Sequence, residues 1–431
     1  MNNKSLFLKL IVGLCVSSCL IGCNSKNKEN SSEQKDDSNK TDTTNYDDGY
    51  VDGYLKGFDE GKTSGYTDGF ADGKTEGTAE GYAAGKEDGK AEQEAIDRDN
   101  RSIHTDLQLQ YLNNNDYSVL PNSVNGMQEY SRPKPLEFSV QESPLFNAAD
   151  VTSSKLRISE TNDFTNYVEV DGDANNHFEV YNLKINTKYY YYYWAVTGTG
   201  TYYSDIKECF VKNEAPRLLN IGEVTNARDD GGWKIKGQNK YTKQGLMYRM
   251  GKLNTSSDIN ITVEGKAAFE ALGIKTEIDL RNSSDAPPTS SAVAGVSYYN
   301  YPLRHDSNTD YFTKNENKQS VKQVLELMGV EANYPLMFHC NIGTDRTGFI
   351  SFIVNALLGV EEEYLYRDYM MSNYAVLGQS RDIASISVYI SQLKSKYNCG
   401  SDLSLGAKSY MLEIGVEEAK INNIKTIMLG A

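Results

Sequence analysis

The sequence predicts a multidomain protein in which a β-sandwich precedes an α/β domain whose central sheet is flanked by helices. From residue 131 to 213, apolar and polar residues alternate with a period of two, as in Leu136–Val140, which indicates strands with one buried face. From residue 214 to 431, strand-like segments alternate with helical patterns, which favours a sheet covered by helices. A chain of 431 residues is long enough for two or three such domains.

The N-terminus predicts a lipoprotein signal peptide over residues 1–22. Lys4 and Lys9 form a basic start, and the apolar core that follows is too short to span a membrane as a helix. The core ends in Leu-Ile-Gly before Cys23, which resembles the bacterial lipobox. This resemblance implies that Cys23 is lipidated and becomes the first residue of the mature protein. We therefore expect an extracytoplasmic protein that its lipid anchor attaches to the bacterial membrane.

Three segments separate the signal peptide from the sandwich. Residues 23–45 are almost entirely polar and predict a disordered tether. Residues 46–90 carry a glycine at every fourth position from Gly49 to Gly89, and we interpret this repeat as a spacer. The alternative is self-association or cell-wall contact, because a helix with this period would place its glycines in one slowly drifting stripe. Residues 91–130 are interpreted as a linker.

The composition argues against several classes of function. A formal net charge of −15 disfavours nucleic acid as a partner. Three of the six cysteines fall in the signal peptide or at the lipidation site, and three remain: Cys209, Cys340 and Cys399. These do not form a disulfide framework, and a Cys209–Cys399 bridge is left open. Four histidines without zinc-ligand spacing predict no metal site, and no cofactor is expected.

The predicted sandwich covers residues 131–213. Strands are expected at Leu136–Val140, Lys155–Ile158 and Phe178–Val180, followed by a tyrosine-rich strand. Leu183, Thr187 and Tyr189 match the L-x-x-x-T-x-Y pattern, and the segment resembles the start of strand F in a fibronectin type III domain. The tyrosine run is interpreted as sheet packing rather than a ligand platform, and this likeness of fold implies no function.

Residues His339–Gly348 read H-C-N-I-G-T-D-R-T-G, between an apolar run and a helical pattern. A buried strand, a tight glycine turn and a helix N-terminus together predict an anion site, because backbone N–H groups and the helix dipole point into it. A cysteine in that position is expected to be a thiolate, and hence a nucleophile. The arginine six residues later offers a fixed fork for two phosphate oxygens. The pattern indicates cleavage of phosphate esters through a phosphocysteine.

With these residues in place, the domain over 214–431 resembles the bacterial branch of the cysteine-based protein tyrosine phosphatases, whose loop reads H-C-x-A-G-K-D-R-T-G. Four further elements of the family are matched in order, at residues 226–233, 245–251, 279–281 and 368–373. The resemblance implies that Cys340 attacks phosphorus, while Arg346 and the loop amides hold the equatorial oxygens. It also implies an enzyme that needs no metal or cofactor.

The resemblance implies roles for the other loop residues as well. Gly343 permits the tight backbone, Thr347 can donate a hydrogen bond to the sulfur, and His339 orders the loop from beneath. Asp279 and Arg281 are expected to brace the site through a buried ion pair. The full set expected to bind phosphate is Asn341, Ile342, Gly343, Thr344, Thr347 and Gly348.

The leaving oxygen needs a proton, and a carboxylic acid is the usual donor. Asp345, inside the loop, is preferred because the related family has an aspartate there. The alternative acid is Asp306, in the segment Tyr301-Pro-Leu-Arg-His-Asp306, which resembles the mobile acid loop of other superfamily members.

The loop departs from the family at two positions, where Ile342 replaces alanine and Thr344 replaces lysine. In related lipid phosphatases that lysine contacts additional inositol phosphates, so its absence favours phosphotyrosine, with phosphoserine and phosphothreonine as an extension. The expected partner is a phosphorylated protein or a small phosphomonoester. One alternative is an inositol polyphosphate or phosphoinositide phosphatase, which a basic rim would favour. Another is a surface adhesion or scaffold protein whose phosphatase domain is incidental.

Overall fold

The computed structural model describes residues 99–114, 124–142, 150–257 and 260–430. The predicted signal peptide, the lipidation site Cys23, the polar tether and the glycine repeat lie outside the described residues. Residues 91–431 form one compact unit. In the described ranges, no helix combines the length and the apolar character that crossing a membrane requires.

The N-terminal part of this unit contains two β-sheets. The larger has the strand order β1-β8-β6-β3-β4, with β7 paired to β6, and the smaller pairs β2 with β5. The strands are β1 (Asn100–Arg101), β2 (Leu136–Ser139), β3 (Val151–Ser159), β4 (Val168–Asp171), β5 (His177–Val180), β6 (Thr187–Thr197), β7 (Gly200–Tyr203) and β8 (Lys207–Val211).

Strand β6 carries the tyrosine run. Its residues alternate between buried and more exposed positions, and the buried tyrosines pack the two sheets together. Tyr191 and Tyr193 are buried and contact Phe138 of β2 and Phe178 of β5, with ring centroids 4.9 and 5.5 Å apart. The Tyr189 hydroxyl accepts a hydrogen bond from the backbone N–H of residue 184 at 2.8 Å, five residues upstream. These buried tyrosines serve sheet packing. The resemblance to fibronectin type III domains stays a prediction.

The segment interpreted as a linker, 91–130, contains β1 and a helix, α1 (Asp106–Leu112). Thr105 and Gln108 form a capping box at the start of this helix. The Tyr111 hydroxyl donates to the carbonyl oxygen of residue 367 in the α/β region at 2.9 Å. Seven residues are too few for helical periodicity to show in a sequence, so only the capping residues marked this helix.

The α/β region is built on a five-stranded sheet in the order β12-β11-β13-β10-β9, in which only β9 is antiparallel to its neighbour. This confirms the predicted central sheet with flanking helices. The strands are β9 (Arg228–Asp229), β10 (Met247–Met250), β11 (Thr276–Asp279), β12 (Ser297–Asn300) and β13 (Leu336–His339). The helices are α2 (Val263–Ala271), α3 (Asp310–Thr313), α4 (Asn315–Met328), α5 (Asp345–Leu358), α6 (Glu362–Met371), α7 (Ile383–Tyr397), α8 (Leu403–Glu413) and α9 (Glu418–Leu429).

Helix α5 is the centre of this region. All but one of its residues, Arg346, are buried, so the helix is surrounded by other elements, although Asp345, Thr347, Ser351 and Asn355 are polar. Five residues separate it from the end of β13, at the edge where the carboxyl ends of the parallel strands meet. Open α/β sheets bind ligands at this edge.

Candidate active site

The loop that joins β13 to α5 contains Cys340 and makes a turn that only glycine accommodates. Gly343 has φ +70°, and a Cβ built on it would lie 2.5 Å from the carbonyl oxygen of Met250 on the neighbouring strand. The absence of a side chain at this position therefore lets the loop pack directly on β10.

The carbonyl oxygens of the loop point away from its centre because each has a donor outside it. The carbonyl oxygen of residue 341 accepts a hydrogen bond from the Lys252 amide at 3.1 Å. That of residue 342 accepts from the Asn226 side chain at 2.9 Å, and that of residue 343 accepts from the Arg249 guanidinium at 2.8 Å. In a trans peptide the next N–H points the opposite way. The amides that follow these carbonyls therefore face the interior of the loop, where an anion would sit.

Asn226 and Arg249 are themselves held by a buried charge cluster. The carboxylate of Asp368 on α6 accepts hydrogen bonds from Arg228 Nε at 2.7 Å and from Arg249, and Arg228 also donates to the Asn226 side chain. All four residues are buried. They come from the segments 226–233, 245–251 and 368–373, so the spaced motifs of the sequence converge on the back of one loop.

Cys340 is only 2% exposed. Burial opposes ionisation of its thiol, but the Arg346 guanidinium and the hydroxyl and amide of Thr347 hold its pKa below the ordinary value. The Thr347 hydroxyl has no other hydrogen-bond partner in the described part of the chain. These residues favour the thiolate, as expected for a nucleophile.

His339 lies beneath the loop and is fully buried. Its Nε2 is 3.0 Å from Glu277 on β11, and its Nδ1 is 3.1 Å from the carbonyl oxygen of Cys340. Burial lowers the pKa of this imidazole, but Asp279 and Glu277 outweigh burial and raise it. A protonated ring would donate at both nitrogens and so fix the first peptide of the loop.

Asp279 and Arg281 form the buried ion pair that the sequence predicted, with Nη2 and Oδ2 2.6 Å apart. Arg281 also donates to the carbonyl oxygen of residue 254 at 2.7 Å, which ties the end of β11 to the loop after β10. The role of this pair in bracing the site stays a prediction.

Asp285 contacts both ends of the phosphate loop, although the sequence did not mark it. Its Oδ2 is 2.5 Å from Arg346 Nη1, and its Oδ1 accepts from the Asn341 side chain, also at 2.5 Å. Asn282 caps the short 3₁₀ turn that carries it, Ser283–Asp285. Asp285 thus holds one nitrogen of the arginine fork in place.

Asp345, the preferred acid, begins α5 with its carboxylate fully engaged. Arg381 donates to both oxygens, from Nε at 2.8 Å and Nη2 at 2.9 Å, and the Tyr369 hydroxyl donates at 3.0 Å. Burial would raise the pKa of Asp345, but these donors hold it below the ordinary value. The structure therefore presents Asp345 as a carboxylate, and its assignment as the acid stays a prediction.

Asp306, the alternative acid, has a side chain that is 60% exposed and pairs with Lys314 at 2.7 Å. That lysine lowers the pKa of Asp306. The neighbouring His305 also borders the site, with its Nε2 3.9 Å from Asp345 Oδ1.

The active-site residues Cys340, Asp345 and Arg346 line a cavity of about 450 Å³. Asn341 and Ile342 line it beside Cys340 and Arg346, whereas Thr344 is fully buried and lies 3.3 Å from the Asn226 side chain. The complete lining is Asn282, Ser284, Asp285, Arg304, His305, Asp306, Cys340, Asn341, Ile342, Asp345 and Arg346.

Sequence reasoning gave no role to Asp285, His305 or Arg381. Each lies on a segment without periodicity and meets the loop only through the fold. No group of three potential metal-ligating side chains occurs within the described residues. Cys209 and Cys399 are both buried and do not form a disulfide with each other.

Residues 219–429 match the model of the tyrosine phosphatase family. A tyrosine-protein phosphatase of Nostoc commune is 21% identical over 211 residues, which are 38% of this chain and 69% of that protein. A putative tyrosine-protein phosphatase of Cupriavidus necator is 24% identical over 177 residues, 36% of this chain and 63% of the relative. The chain therefore spans about two thirds of the length of these relatives.

Among solved structures, the chain is similar to P. aeruginosa TpbA in complex with pTyr. The identity is 16% and the TM-score 0.25, and the match covers 42% of this chain and 91% of the other.

Proposed function

Because residues 219–429 form a domain of the protein-tyrosine-phosphatase type, we propose that this protein hydrolyses phosphate monoesters, phosphotyrosine first among them, through a phosphocysteine. The observation that carries the proposal is the placement of Cys340 at the base of a loop whose carbonyls are all held outward. Phosphoserine and phosphothreonine are proposed as further substrates.

In the first step, the Cys340 thiolate attacks phosphorus and the ester oxygen leaves with its electron pair and a proton. The loop amides and the open edge of Arg346 hold the three equatorial oxygens, whose charge grows in the transition state. Asp285 fixes the guanidinium through Nη1, so that Nε and Nη2 can meet two oxygens together.

In the second step, water attacks the phosphocysteine, and the sulfur leaves as a thiolate. A leaving group of low pKa is the better one, so the same contacts that lower the pKa of Cys340 also favour this step. We propose that Asp345 takes part in moving the proton in both steps.

The charges around the cavity favour a substrate with a single phosphoryl group. Arg346 pairs with Asp285, Arg381 pairs with Asp345, and Arg304 lies beside Asp306 at 3.8 Å. The side chain of Thr344, where the family has lysine, is buried in the protein. The rim of the cavity therefore carries both positive and negative side chains rather than being basic. For this reason an inositol polyphosphate or phosphoinositide is the second candidate substrate, after phosphotyrosine.

For the whole protein, we propose an extracytoplasmic enzyme that a lipid on Cys23 attaches to the membrane, with phosphorylated proteins or small phosphomonoesters as partners. The predicted signal peptide and lipobox support this location. The glycine repeat is proposed as a spacer, with self-association or cell-wall contact as the alternative.

The test replaces the nucleophile in the purified protein. Cys340→Ser should abolish hydrolysis of a phosphotyrosine peptide without unfolding the domain, because a serine hydroxyl is not ionised at this site. Cys399→Ser is the matched control, since that thiol is also buried but donates only a weak hydrogen bond, to the carbonyl oxygen of residue 393. Full activity in Cys340→Ser, or loss of wild-type activity with EDTA, would contradict the mechanism.

Substrate class is tested in the same assay. We expect kcat/KM for the phosphotyrosine peptide to exceed that for inositol hexakisphosphate. The reverse order would favour the second candidate.

A further inference from the structure

His305 occupies a fixed position at the edge of the active-site cavity. Its Nδ1 lies 2.9 Å from the Tyr311 hydroxyl, and the two rings are stacked with an interplanar angle of 14°. Tyr311 is itself buried and stacks on Phe349 of α5, with centroids 4.3 Å apart. The imidazole is therefore oriented by the core of the domain, although 28% of its surface remains exposed.

The other ring nitrogen, Nε2, lies near the carboxylate of Asp345 at the active-site cavity. It is 3.9 Å from Asp345 Oδ1, and His305 lines the same cavity as Cys340 and Arg346.

Both aspartates already have cationic partners. Asp345 receives two hydrogen bonds from Arg381 and one from Tyr369, which leaves its oxygens committed to donors. Asp306 is paired with Lys314 at 2.7 Å. A carboxylate held by a cation is a poor source of a proton, whereas an imidazole beside a carboxylate can carry one.

We propose that His305 is a catalytic residue that delivers the proton to the leaving oxygen and takes it back from water, with Asp345 as its carboxylate partner. The inference rests on the phosphomonoesterase activity proposed above. It gives Asp345 a part in the proton transfer without requiring that carboxylate to be protonated.

When Cys340 Sγ attacks phosphorus, the P–O bond to the leaving group breaks and its electron pair stays on that oxygen, which takes the proton from His305 Nε2. The ring becomes neutral. Water then attacks the phosphocysteine and gives one proton to Nε2, while the P–S bond breaks and its electron pair returns to sulfur. The imidazolium and the thiolate are both restored.

The charges that face the ring determine when it is protonated. In the protein without substrate the pKa of His305 is lowered: burial is the largest cause, Arg346 and Arg381 add to it, and Asp345 and Asp310 oppose it without outweighing it. The bonded Tyr311 hydroxyl and the chain neighbours Arg304 and Asp306 complete the surroundings. A phosphate dianion in the cavity adds negative charge beside the ring, so substrate binding itself favours the imidazolium.

The test compares leaving groups. For an aryl phosphate with a good leaving group, such as p-nitrophenyl phosphate, the proton matters little, and for phenyl phosphate it matters greatly. We expect His305→Gln to reduce kcat/KM about 10²–10³-fold on phenyl phosphate and less than about tenfold on p-nitrophenyl phosphate. Retained turnover of the activated ester also shows that the loop is intact. His177→Gln, an exposed histidine on β5, is the matched control and should change neither rate.

A second variant separates chemistry from structure. His305→Ala leaves space at the ring position, and added imidazole should restore turnover of phenyl phosphate in a concentration-dependent way. The proposal would be overturned if His305→Gln lost equal activity on both esters. It would also be overturned if Asp345→Asn lost activity selectively on phenyl phosphate while His305→Gln kept the wild-type ratio of the two rates. Neither result would affect the phosphocysteine mechanism, which the Cys340→Ser experiment tests by itself.

Discussion

Gly343→Ala tests whether the shape of the phosphate loop depends on direct packing against β10. At φ +70°, alanine is strained, which typically costs about 1–2 kcal/mol. Its Cβ would also lie 2.5 Å from the carbonyl oxygen of Met250, about 0.9 Å closer than an ordinary contact. A backbone carbonyl in a strand cannot turn aside, so the loop has to move by nearly that distance.

A misplacement of about 1 Å at reacting groups can cost roughly 10²-fold in rate. We therefore expect Gly343→Ala to lose about 1–2 kcal/mol in the free energy of unfolding. We also expect it to lose about 10²-fold in kcat/KM on a phosphotyrosine peptide. Urea unfolding and steady-state kinetics measure the two effects separately.

Gly237→Ala is the matched control. Its φ is +69°, almost the same, but the space where its Cβ would stand is open. This variant should show the same backbone cost and wild-type kcat/KM. If Gly343→Ala keeps full activity, or if Gly237→Ala loses as much activity, the loop does not depend on this contact and the reasoning is refuted.

The remaining predictions concern protons and attachment. Asp345→Asn should lose about 10²–10⁴-fold in kcat/KM on a phosphotyrosine peptide and much less on p-nitrophenyl phosphate. Asp306→Asn should change kcat/KM on either substrate by less than roughly tenfold. An equal loss on both substrates in Asp345→Asn would mark a structural role. Cys23→Ala should release the protein from the membrane fraction or leave its signal uncleaved, as immunoblots of fractionated cells would detect; a processed, membrane-bound variant contradicts the lipid anchor. The pKa of His339 is raised in the folded protein, so the protonated imidazole should stabilise the fold fully below about pH 6.5. This stabilisation should be lost as the pH rises through the raised pKa. Urea unfolding at several pH values measures it, and the pH dependence should be weaker in His339→Asn.

The α/β fold and the position of the loop could be predicted because both have local patterns. The strand expected at Phe178–Val180 is His177–Val180, and the apolar run and the helical pattern on either side of the loop are Leu336–His339 and Asp345–Leu358. Strand and helix periodicity therefore located the elements within a few residues. Helix α1 was missed because seven residues inside a segment interpreted as a linker show no period.

The partners of the catalytic residues could not be predicted, because they arrive from distant segments. Asp285 precedes Arg346 by 61 positions, and Arg381 follows Asp345 by 36. An ion pair at such a separation has no periodicity to reveal it. The contact between Asp279 and Arg281 could be expected because the two residues are only two positions apart at a strand end.

The pairing of charges around the cavity explains why a mixed rim favours one phosphoryl group. Three cations near the site, Arg346, Arg381 and Lys314, each already have a carboxylate partner, and each pair is closer than 3 Å. A single phosphoryl group needs only the loop amides and the remaining edge of Arg346. A second phosphate would need Arg304, which lies 3.8 Å from Asp306, or it would have to displace the carboxylate of Asp345 from Arg381 or that of Asp306 from Lys314. Because the pair of Asp345 and Arg381 is largely buried, removing Arg381 from it would leave an uncompensated charge, and a second phosphate that bound Arg381 would bind against that cost.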